Sequence, residues 1–154
     1  MMMSIAVALH ALAAILWVGG MFFAVYALRP AAGPMEGPDR LALWGRVFPN
    51  FFRWVWAAVV LLPLTGYYMV YAGYGGMATL PIPYHVMSAL GLVMILLFLH
   101  LYFAPYARFR AALEGGDNGE AAKQLNVIRQ IVTINLYIGL VNAAVGASGV
   151  YWAV

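Results

Sequence analysis

The chain has 154 residues, of which 66% are hydrophobic and only 8% charged, against roughly 25% charged in a soluble domain. Such a chain cannot cover itself with a wetted surface, and it has no cysteine, so a soluble enzyme, a disordered chain and a disulfide scaffold are all excluded. The net charge of +3 comes from eight basic and five acidic residues with no basic cluster, which leaves nucleic-acid binding without support.

Every Asp, Glu, Lys and Arg falls between Arg29 and Arg53 or between Arg108 and Arg129, leaving windows 1–28, 54–107 and 130–154 uncharged. A hydrocarbon core about 30 Å thick takes about 20 apolar residues per helix. The first and last windows therefore hold one span each and the middle window two. The expected fold is all-α, a four-helix transmembrane bundle in one integral membrane domain, with spans near 3–28, 54–73, 84–106 and 130–152.

The first window lacks the basic flank and polar cleavage region of a signal peptide and reads as a retained span. Residues 40–48, with Leu41, Trp44, Val47 and Phe48 among polar neighbours, predict a short interfacial helix in the first charged loop. The second and third spans are broken by Tyr74-Gly75-Gly76 through Pro81-Ile82-Pro83. Glu114–Asn118 reads as a solvated turn before the fourth span. Both charged loops carry the basic residues and the 74–83 loop carries none, so the loops are expected inside and both termini outside, in a bacterial inner membrane.

Three histidines are the titratable groups of the spans apart from tyrosine phenols, and intramembrane ionisable residues are functional candidates by default. At 1.5 Å per residue, His10 lies about 28 Å above Arg29 and His85 about 34 Å above Arg108, near one outer level. His100 lies about 12 Å above Arg108, toward the inner side. Ala6, Ala13 and Ala14 flank His10, Trp17 follows two turns inward, and Ser88 and Ala89 flank His85. Asn135, Gly139, Asn142 and Gly146 form a polar, small-residue stripe suited to a helix interface.

Two cofactor chemistries suit this pattern. A haem b held by His10 and His85, with Trp17 and Asn142 as pocket walls, would make the chain a redox protein drawing electrons from a quinol. That outer level offers no Arg or Lys for the haem propionates; Arg53, Arg108 and Arg110 lie instead at the level of His100. Copper is the alternative, because imidazole and thioether sulfur suit Cu(I). Its expected ligands are His10 and His85 with Met69 and Met87, and His100 is a further candidate for either metal. Met87 faces about 160° away from His85 on the same helix. A third reading, a structural or assembly subunit working through its contacts with the bilayer or a second copy, leaves the histidines as hydrogen-bonded core residues.

Ala8-Leu9-His10, Trp17-Val18-Gly19-Gly20-Met21-Phe22-Phe23 and Arg29-Pro30, then Arg53, Thr65-Gly66, Pro105, Arg108 and Arg110, resemble the copper-resistance protein D (CopD) family over most of the chain. That resemblance implies copper handling at or across the membrane. The first-helix pattern, with Tyr84-His85 and His100, is also similar to the HemJ-type protoporphyrinogen oxidases, four-span haem b proteins. Those enzymes carry a lysine two residues after the third-span histidine, where this chain has Met87; the departure counts against oxidase activity and not against haem binding.

Overall fold

A computed structural model describes residues 1–152. Four helices, each long and apolar enough to cross a membrane, make up the fold: α1 (Met2–Ala31), α2 (Gly37–Tyr74), α3 (Ile82–Glu114) and α4 (Asn118–Tyr151), the last finishing in a 3₁₀ turn at Gly149–Tyr151. No strand occurs among the described residues. The first three expected spans lie within these helices and the fourth passes the end of α4 by one residue; the helices run further into the charged windows than the spans did. Charge stops a membrane span, whereas Ala, Arg, Gln, Glu and Lys are good helix formers and let the helix itself continue.

The main difference is at 40–48. There is no separate interfacial helix: these residues are early turns of α2, which runs for 38 residues through Pro49 and Pro63. Its apolar face decides this, because Leu41, Trp44, Phe48 and Phe52 recur at helical spacing and are all buried. A helix of that length spans about 57 Å, so its charged N-terminal part stands clear of the hydrocarbon on the side of the arginines.

Two π turns interrupt α1 and α3, at Ala24–Leu28 before Arg29-Pro30 and at Tyr102–Tyr106 around Pro105. Proline has no N–H to continue the i to i−4 ladder, and a locally widened turn accommodates the break. The connections use glycine where left-handed backbone is required: Gly75 ends α2 at φ 78°, and Gly116 sits at φ 73° between α3 and α4. Asp117 then caps α4 by accepting the Glu120 backbone N–H at 2.9 Å, so Glu114–Asn118 is the turn expected there.

α1 packs along α2 and α3 along α4, with α4 also touching α1 and α2. The polar stripe on α4 faces the bundle as expected: Asn135 and Gly139 are buried, and Asn135 Nδ2 donates to the Met94 carbonyl at 3.4 Å. Toward the charged end the core is aromatic. Phe48 stacks on Phe52 with ring centroids 5.3 Å apart and meets Tyr106 and Phe109 edge-on. Val55, Ala58, Phe98 and Leu136 fill the level above it, each at most 3% exposed. This packed level divides the bundle into an upper and a lower cavity.

Candidate metal-binding cavity

The upper cavity, at the end carrying the 74–83 loop, has a volume of about 750 Å3 and is bordered by all four helices. His10 enters it from α1, where small neighbours leave room: Ala6 and Ala13 are buried and Ala14 lines the cavity. Trp17 lies below it, 3% exposed, and meets Phe98 edge-on at 6.2 Å. His10 thus sits at the wall of an apolar chamber closed toward the charged end.

The imidazole is oriented by α2. His10 Nδ1 lies 2.9 Å from Thr65 Oγ1, and the same hydroxyl donates its single proton to the Leu61 carbonyl at 2.6 Å. With that proton committed, Thr65 can only accept, so His10 donates from Nδ1 and carries its lone pair on Nε2. Nε2 has no protein partner among the described residues. Beside Thr65, Gly66 leaves the ring its space: a Cβ there would lie 3.3 Å from His10 Cε1. A neutral imidazole held through Nδ1–H with Nε2 free is the usual state of a metal-ligating histidine.

Four methionines, Met3, Met69, Met87 and Met94, border the same cavity. Two lie against glycines of the α4 stripe: a Cβ at Gly139 would fall 3.0 Å from Met94 Cε, and one at Gly146 would fall 3.0 Å from Met87 Sδ. Asn142, between them on α4, also borders the cavity, and its buried Oδ1 has no hydrogen-bond partner. Tyr74 and Tyr84 close the upper rim with ring centroids 5.4 Å apart. The donor set is one imidazole with thioethers and neutral oxygens. No carboxylate lines the cavity, and among the described residues no group of three or more His, Cys, Asp or Glu forms a metal site.

The expected pairing of His10 with His85 is not what the structure assembles. Tyr84, Met87, Ser88, Gly91, Met94 and Ile95 turn one face of α3 to the cavity; His85, about 100° round from the middle of that face, is exposed and does not line it. His100 is likewise exposed on the far side of α3. A haem b would find here one imidazole instead of two and no cation for its propionates. Bis-histidine haem ligation is therefore unsupported, and a quinol-fed redox role loses its basis. Of the residues proposed as ligands or walls, the cavity gathers His10, Trp17, Met69, Met87 and Asn142 and omits His85 and His100.

Sequence reasoning missed Thr65 as the group that orients His10, and Met94 as a cavity residue. The Thr65-Gly66 pair stood out only through family resemblance; its mechanical use needs α1 and α2 side by side.

The fold and this cavity define an integral membrane helical bundle with a soft-donor chamber opening away from its charged end. The family model for copper resistance protein D matches residues 45–149. The chain belongs to that family. The matched stretch covers α3 and most of α2 and α4, and leaves out α1 with His10, where the resemblance was most specific. The likeness to HemJ-type oxidases is not shown. No curated protein and no solved structure matches the chain.

Proposed function

We propose that the chain is a copper-handling protein of the bacterial cytoplasmic membrane, taking Cu(I) as its cargo into the upper cavity. The observation that carries this reading is the meeting, in one chamber, of a histidine with its tautomer set by Thr65 and the thioethers of Met3, Met69, Met87 and Met94. Imidazole and thioether are soft or borderline donors that favour Cu(I) over the hard cations, which require carboxylates and carbonyls. Family membership supports a copper-related function independently of this geometry.

His10 Nε2 is the anchoring ligand in this reading, and Met69 and Met87 are the sulfur donors offered by the helices on either side. Asn142 and Ser88 supply neutral oxygens that can hold water near the ion without adding charge. The packed level of Val55, Ala58, Phe98 and Leu136 blocks onward movement, so the cavity serves as a loading and holding site on the outer side.

Purified protein in mild detergent, titrated with Cu(I) against a competing chelator, tests this. The expected result is stoichiometric binding that falls at least about tenfold in His10→Ala and is weakened by Met69→Leu and Met87→Leu. Absence of binding, or affinity unchanged by all three substitutions, overturns it. A Soret band in protein from haem-replete cells, lost in His10→Ala, would restore the haem reading with His10 as a single imidazole ligand.

A further inference from the structure

The lower cavity, at the charged end of the bundle, has a volume of about 500 Å3 and takes no part in the copper reading. Arg29 of α1, Arg46 of α2 and Arg129 of α4 border it, brought together from three helices. No Asp or Glu lines it, and among the described residues none of the three arginines forms an ion pair; the ion pairs present are Arg110–Glu114 and Lys123–Glu120. Three arginines thus border one space to which the protein contributes no anion.

A second observation points to a ligand at this place. Trp44 is 3% exposed and borders the cavity, yet its indole N–H has no acceptor. Arg129 lies over the Trp44 ring, with Cζ 5.5 Å from the centroid, and its buried Nε likewise has no acceptor. Buried donors are normally satisfied. Here two of them belong to residues in contact at the edge of a cationic cavity, where an anion would supply the acceptor both lack and match the charge. The π turn at Ala24–Leu28 leads directly into Arg29, and such turns are frequent at functional sites.

The rest of the cavity says what kind of anion. Its walls are mainly hydrocarbon and aromatic: Ala24, Leu28, Val47, Phe51 and Val132 line it. Phe23 and Trp54, also lining residues, are 59% and 63% exposed and open toward the bilayer side. A free inorganic anion would gain nothing from those walls, whereas an amphiphile would place a phosphate among the arginines and its chains against the aromatics. Arginine forks recognise phosphate oxygens, and basic pockets between helices on the cytoplasmic side suit anionic lipid headgroups.

We propose that Arg29, Arg46, Arg129 and Trp44 form a binding site for an anionic phospholipid of the cytoplasmic leaflet, with the phosphodiester held by the guanidinium groups and the indole N–H and the acyl chains lying along the wall of Val47, Phe51 and Val132. The site stands apart from the upper cavity and does not depend on copper binding there.

The test is native mass spectrometry of the purified protein, with phosphatidylglycerol, phosphatidylcholine or inorganic phosphate added, beside thermal unfolding with each. Phosphatidylglycerol should remain bound and raise the unfolding temperature, while phosphatidylcholine should bind more weakly. Replacing Arg46 or Arg129 by Gln should weaken phosphatidylglycerol binding about fivefold each, the value of one charge near an anionic surface. Trp44→Phe keeps the ring, removes only the N–H, and should also weaken it. Arg110→Gln, outside the cavity, controls for general loss of charge, and His10→Ala controls for the copper site; both should bind lipid normally. Equal retention of the two lipids, binding unchanged in Arg46→Gln, Arg129→Gln and Trp44→Phe, or inorganic phosphate displacing phosphatidylglycerol would each overturn the proposal.

Discussion

Thr65 has a single hydroxyl proton, and the Leu61 carbonyl at 2.6 Å takes it. Everything distinctive about His10 follows, because an accepting Thr65 leaves Nδ1 as the donor and Nε2 as the open lone pair. Thr65→Val keeps the shape and removes the acceptor, so Cu(I) affinity should fall about 10- to 100-fold with little change in secondary structure by circular dichroism. A Cu(I) affinity equal to wild type would assign Thr65 to packing alone. His85→Ala and Met87→Leu separate two neighbours on α3 whose side chains point to different sides. His85→Ala should leave Cu(I) affinity unchanged, and Met87→Leu should lower it in the same competition assay. The histidines were all visible in the sequence, but which of them shares a chamber with the methionines was not, since each is equally rare in an apolar span.

At the scale of elements, the pairing of α3 with α4 rests on small residues. In a bilayer the lipid is as apolar as a leucine, so helices associate through close packing and hydrogen bonds more than through burial from water. Gly139 admits the Met94 tip and Val18, and Gly146 admits Met87. Gly139→Leu would force side chains into the Met94 contact, and overpacking of this kind costs about 1–3 kcal/mol; a lower unfolding temperature in detergent should report it. The stripe of Asn135, Gly139, Asn142 and Gly146 was legible because polar and small residues at helical spacing have no reason to face lipid. The continuity of α2 was not. Arg40, Arg46 and Arg53 marked a charged loop with a short separate helix at 40–48, and only the burial of Leu41, Trp44, Phe48 and Phe52 in one core with Phe109 shows that this helix runs on into the span.

At the scale of the molecule, the helices reach beyond the bilayer on the charged side and make a cap. Phe109 is fully buried there, edge-on to Phe48 at 5.6 Å. Phe109→Ala should destabilise the bundle by about 3–5 kcal/mol, measured by unfolding in detergent, and should not alter Cu(I) affinity because the upper cavity lies beyond the packed level. Orientation is open to a direct test, since the chain has no cysteine and one introduced cysteine is unique. Thr79→Cys should react with a membrane-impermeant thiol reagent on intact cells, and Lys123→Cys should be protected until the cells are opened. The reverse pattern would invert the topology and place the arginine cavity at the outer leaflet.

The count of spans, their order and the charged side of the bundle were determined by the sequence alone, because placing a charge in hydrocarbon is costly and local, and is legible along one dimension. Tertiary structure decided the rotation of each helix. α3 is apolar almost all the way round, and lipid and bundle interior both accept apolar side chains, so no amphipathic pattern told His85 from Met87. Packing against Gly139, Asn142 and Gly146 made that choice. It turned Met87 and Met94 into the cavity that His10 borders, and three arginines, legible in the sequence only as loop charge, came to border one cavity with Trp44.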